Sequence, residues 1–129
     1  MGESGREALE GIHVLVIDFD QHVLDLARAA LEPAGALVMT TSAAGVDDVT
    51  LIADVILCDL ELIEAVGEPF LTALRRKHRA RGQDPPAIAF VTGGPPTDDR
   101  LRAAGFRSYL TTPFDGRSLV AAVWAVIRR

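Results

Sequence analysis

Short apolar runs that end on an acid set the pattern of this chain. Val55 to Cys58 is four apolar residues between Asp54 and Asp59, which predicts a strand buried on both faces, as in the middle of a parallel sheet. Ile12 to Ile17 repeats the pattern and ends at Asp18-Phe19-Asp20. Helical spacing of Val23, Leu24, Ala27, Ala30 and Leu31 predicts a helix over 21–33, capped by Asp20 and stopped at Pro33-Ala-Gly35. A short strand follows over 36–40, then a weak helix over 42–52 broken by Gly45. After Asp59, residues 60–67 are expected as a loop, leading to a helix with Phe70, Leu71 and Leu74 on its apolar face. Beyond a linker at 82–86, Ala87 to Val91 is a fourth buried strand ending at Thr92. A short helix from Thr97 to Gly105, a fifth strand over 108–111, a tight joint at Thr112-Pro113 and a last helix over 114–129 complete the chain.

Strand and helix alternate throughout, and right-handed crossovers turn such an alternation into a parallel sheet with helices on both faces. Ligands of open α/β sheets sit at the carboxyl ends of the strands. Those ends carry Asp18, Asp20, Asp59, Thr92, Thr111 and Thr112. A carboxylate closing a buried strand is costly unless it faces such a crevice, so Asp59 is a candidate site residue; a cap of the following turn is the alternative.

The 129 residues suit one domain, 12–129, behind a polar leader over 1–11. With 49% hydrophobic and 24% charged residues a filled core is expected. A net charge of −5 disfavours nucleic acid as a partner. The cationic run Arg75 to Arg79 follows an apolar helical pattern and is expected to be a solvated helix terminus complementing the dipole, with a binding patch as the lesser alternative. Cys58, the only cysteine, falls in a core strand and fits a reducing, cytoplasmic setting. No signal-peptide pattern and no long apolar run appears, so no membrane association is expected.

Three carboxylates converging on one crevice repel one another and call for a protonated member or a cation. Magnesium, which favours carboxylates, waters and a phosphate oxygen, suits an acidic crevice with a threonine hydroxyl, so the pattern points to a phosphoryl site. Neither glycine-rich phosphate motif occurs, which argues against a kinase or GTPase.

Val14 to Asp18, Asp54 to Leu62, Ala87 to Thr92 and Tyr109 to Phe114 together resemble the receiver domain of bacterial two-component response regulators, in order and spacing across nearly the whole chain. The resemblance implies a flavodoxin-like, doubly wound (βα)5 fold with sheet order 2-1-3-4-5, acting in signalling and not as an enzyme. It implies Asp59 as phospho-acceptor, Asp18, Asp20, Asp59 and the Glu61 carbonyl around magnesium, and Thr92 and Thr112 as phosphoryl contacts. Tyr109 would be the aromatic that turns inward, and Pro113 a cis-proline. The implied partner is a sensor histidine kinase or phosphotransfer protein. The chain departs from the family in having Phe19 where a second adjacent acid is usual, Thr112 where a lysine is usual and Ile63 where a proline is usual. Its only lysine is Lys77. These departures imply weak magnesium binding and either a weakened phospho-switch or a module that signals by binding alone.

Val16 to Asp20 also resembles the strand-end DxD of haloacid-dehalogenase phosphatases, with Asp18 as nucleophile and Asp20 as acid and base. That family also needs a lysine at the site and a late acidic pair. In the last helix, Leu119 to Ile127 carries no charge, although one apolar stripe suffices to cover a sheet. Leu119, Val123, Val126 and Ile127 make that stripe; Val120 and Trp124 make a second, expected to form a homodimer or partner surface with Arg107 and Arg117 at its rim. Folding of Trp124 back over the sheet edge is the alternative.

Overall fold

A computed structural model of the chain describes residues 8–42, 53–66 and 68–128, without the side chains of 66 and 68–70. The helix expected over 42–52 therefore lies almost wholly outside the described residues, as do Gly67 and the Phe70 side chain. The strands are β1 (His13–Ile17), β2 (Leu37–Thr41), β3 (Val55–Asp59), β4 (Ala87–Thr92) and β5 (Ser108–Thr112). All pair in parallel, in the order β2-β1-β3-β4-β5. The helices are α1 (Gln21–Leu31), α2 (Leu60–Val66), α3 (Glu68–Arg79), α4 (Asp98–Ala104) and α5 (Gly116–Ile127), with a 3-10 turn at Glu32–Ala34.

Alternation along the buried strands supplies two cores. Leu15, Ile17, Ile56, Cys58, Ala89 and Val91 pack under α2, α3 and α4. Val14, Val16, Val55, Leu57, Ile88 and Phe90 pack under α1 and α5, which contribute Leu24, Ala27, Leu31, Leu119, Val123 and Val126. The sheet is thus covered on both faces, as continuous apolar strands require.

Two expectations are corrected. Residues 60–66 form a helix, not a loop. The carboxylate of Asp59 accepts the Glu61 amide at 2.8 Å, and Leu60, Leu62 and Ile63 are buried, so both end and face of the segment are satisfied as a helix. The cationic run is not solvated throughout, since His78 is fully buried. Its Nε2 accepts the Ala53 amide at 3.0 Å and its Nδ1–H donates to the Leu74 carbonyl at 2.9 Å, an arrangement that ties the end of α3 to the entry of β3. The last residues of the polar leader pack against the 3-10 turn. Leu9 is buried and its amide donates to the Ala34 carbonyl at 2.9 Å. Gly35, at φ 101°, lets the chain pass there, because a Cβ would come within 2.8 Å of the Glu10 backbone.

Candidate functional site

The register places Ile17 opposite Cys58, so Asp18 and Asp59 leave neighbouring strands side by side, and Thr92 of β4, the next strand after that of Asp59, lies opposite Thr112 of β5. Asp18, Asp20, Asp59, Thr92, Thr112 and Pro113 line one pocket of about 340 Å3 at the carboxyl edge of the sheet. His22, Val23, Leu26, Phe90 and Phe114 complete it. Phe90 and Phe114 stack with ring centroids 5.2 Å apart and give the pocket an apolar wall. The sequence contained a signal for the first of these: Phe90 stands two places before Thr92 and so shares its strand face.

Asp18 is only 4% exposed, and its Oδ1 accepts the Asp20 amide at 2.9 Å. Burial raises the pKa of its carboxyl above the usual range, opposed by the Asp20 amide and reinforced by the Asp59 and Asp20 charges. Asp59 is also raised, again by burial first, with the Glu61 amide opposing and the Glu61 charge adding. Because the native state binds these protons more tightly than the unfolded chain, stability falls as pH rises from about 4 through the raised native values. Asn at position 18 keeps an acceptor for the Asp20 amide without the charge. Asp18→Asn is therefore expected to raise the melting temperature near neutral pH, with a gain that shrinks toward about pH 4. Thermal melts across that range test this, and a gain independent of pH would contradict it.

Asp20 is spent differently from its two neighbours. It is exposed and caps α1, its Oδ1 accepting the His22 amide at 2.9 Å. Glu61 sits in the first turn of α2, where a backbone carbonyl points along the helix toward the residue four places on. Among the described residues no three His, Cys, Asp or Glu side chains cluster closely enough to hold a metal ion. The donor set that fits magnesium is thus the Asp18–Asp59 pair, enough for an ion that keeps most of its waters but a thin one. Phe19, 67% exposed, adds no oxygen.

Thr112 occupies the place where the resemblance leads one to look for a lysine. Its hydroxyl donates to the Val91 carbonyl at 3.3 Å and lies 3.1 Å from the Thr92 hydroxyl. Either threonine oxygen can be the donor of that pair; where Thr112 gives its proton to Val91, Thr92 gives its own to Thr112. The Thr112–Pro113 peptide bond is cis. Tyr109 is 39% exposed in this structure and does not line the pocket. On the helices flanking the site, Arg100 of α4 grips Glu64 of α2 through two bonds of 2.6 and 2.7 Å, which hold the Glu64 carboxyl below its usual range. Burial pushes the Cys58 thiol up, which leaves it an inert core group.

The second stripe of α5 is present. Val120 and Trp124, the latter 42% exposed, line an apolar groove of about 570 Å3 with Ala30, Pro33, Ala34 and Ala121, and Arg117 borders it. The Arg128 guanidinium lies 4.9 Å over the indole.

No protein-family model matches the chain, and no curated protein matches it in sequence. Solved structures do. The chemotaxis response regulator CheY4 of Vibrio cholerae superposes with a TM-score of 0.73 at 22% identity, over 90% of this chain and 98% of that one. A two-component response regulator from Clostridium difficile gives 0.71 at 20% identity, over 92% and 97%. Full-length FixJ from B. japonicum gives 0.66 at 21% identity over 92% of this chain, which spans 59% of FixJ. The fold is that of response-regulator receiver domains. The phosphatase alternative gains no support from these matches, and its acid and base, Asp20, is committed to capping α1.

Proposed function

We propose that this chain is a receiver module of a two-component phosphorelay, with Asp59 as phospho-acceptor, a weakened phosphoryl site, and output carried mainly by binding. The observation behind it is the convergence of Asp18, Asp59, Thr92 and Thr112 on one pocket at the carboxyl edge of a 2-1-3-4-5 sheet. In the proposed step an Asp59 carboxylate oxygen attacks the phosphorus of a donor, an acyl phosphate forms, and the leaving group takes the electron pair of the broken bond. Magnesium, when bound by Asp18 and Asp59, supplies charge neutralisation. Asp59 must be ionised to attack, and burial works against this. Thr92 must turn its proton from Thr112 to the phosphoryl group. No ammonium balances the new charge, so transfer is inefficient. The donor is a sensor histidine kinase or phosphotransfer protein, and the module is a cytoplasmic signalling element, not an enzyme. Among the described residues no helix is long and apolar enough to cross a membrane.

Incubation with acetyl phosphate, or with beryllofluoride, in the presence of magnesium tests this. Partial modification at Asp59, abolished in Asp59→Asn, is expected; modification at another residue would sink the assignment.

The groove beside α5 is proposed as the surface of a homodimer, since Trp is favoured at interface centres. Trp124→Glu should lower the solution mass of the isolated chain to that of a monomer. If the parent is already monomeric, no homodimer forms.

A further inference from the structure

The edge of the sheet opposite the acidic pocket carries a cationic one, of about 270 Å3, where Arg75, Arg102 and Arg107 meet Asp84, Pro85 and Gly105. Three guanidiniums share this pocket with one carboxylate, which leaves two positive charges in excess. Arg75 is held by its Nη2, which donates to the Gly105 carbonyl at 2.8 Å, whereas its Nη1 lies 3.9 Å from Asp84. Its Nε is buried without a hydrogen-bond partner. Asp84 sits closer to Arg79, at 3.3 Å. Among the described residues Arg102 and Arg107 have no carboxylate within ion-pair distance. The turn that brings them to Arg75 is fixed by Gly105, at φ 92°, where a Cβ would lie 3.0 Å from Leu71. Burial lowers the Arg75 pKa, Asp84 opposes that, and Arg79 and Arg107 add to it.

Guanidiniums gathered with too little counter-charge suit an oxyanion that accepts several N–H bonds at once. We propose that this pocket binds the dianionic oxygen face of a phosphate group, either the free ion or the monoester of a small molecule. Two excess charges match a dianion, whereas a monocarboxylate leaves one unmatched. The pocket is separate from the Asp59 site, at the entry of β4 and β5 and not at their ends.

The test is an NMR titration of the full chain with inorganic phosphate and with glycerol 3-phosphate, ionic strength being balanced with chloride and acetate serving as the monoanion. Saturable shifts are expected at the Gly105, Phe106 and Arg107 amides and at Arg75 Nε. Arg102 and Arg107 are exposed, so Arg102→Gln and Arg107→Gln should leave the fold intact and each weaken binding about tenfold. Asp59→Asn should change nothing here. Tighter binding of glycerol 3-phosphate assigns an ester, and the reverse order the free ion. The proposal fails if shifts are absent or confined to Asp59, Thr92 and Thr112. It fails equally if acetate binds as well as phosphate, or if both Gln variants bind undiminished.

Discussion

The double variant Phe19→Asp, Thr112→Lys should be modified by acetyl phosphate, or hold beryllofluoride, at magnesium concentrations that leave the parent chain largely unmodified. Phe19 is exposed beside the pocket, so an Asp there displaces no core and adds a carboxylate next to Asp18, where Asp20 is already engaged in capping α1. Lys at 112 does two things. It brings a cation to the phosphoryl oxygens, a contact worth about 1.5–3 kcal/mol, or roughly tenfold to a hundredfold in occupancy. It also removes the hydroxyl that pairs with Thr92, which frees Thr92 to donate. Intact-mass measurement against magnesium concentration reads the shift. Full modification of the parent at millimolar magnesium would show that Phe19 and Thr112 do not weaken the site.

A larger loss of stability is expected from His78→Ala than from any exposed substitution considered above. The imidazole is fully buried and bonded at both nitrogens. Its removal strands the Ala53 amide, at about 1–3 kcal/mol, and leaves a cavity besides. We expect a total near 3 kcal/mol and a fall in melting temperature of about 10 °C. Urea unfolding measures it, and a loss below about 1 kcal/mol would mean that water or backbone movement satisfies Ala53 instead.

The same residue marks where sequence patterns mislead. His78 stands among cations and so looks solvated, yet Leu71, Leu74 and His78 recur at helical spacing and share the buried face of α3. Periodicity was the better guide there. Strand ends were legible because unbroken apolar runs have few homes except a covered sheet, and Asp18 and Asp59 followed from where those runs stop. Helix α2 falls where a loop is expected, although Leu-Glu-Leu-Ile-Glu-Ala-Val is made largely of good helix formers. The aromatic wall needed Phe90 and Phe114 to meet across two elements, which no local pattern encodes.

The Glu64–Arg100 pair closes a circuit. The chain leaves the acidic pocket twice, from Asp59 into α2 and from Thr92 into α4, and the two branches rejoin at that pair. Asp59, α2, the ion pair, α4, Thr92 and the β3–β4 ladder make a ring, in which the ion pair is the exposed link beside the apolar packing of Leu62, Ile63 and Leu101. While the link holds, neither branch wanders without dragging the other, so the turn beyond Thr92 loses freedom it would have as an open segment. The link is exposed on both sides, and salt screens it. Raised ionic strength thus weakens this link without touching any group that lines the pocket.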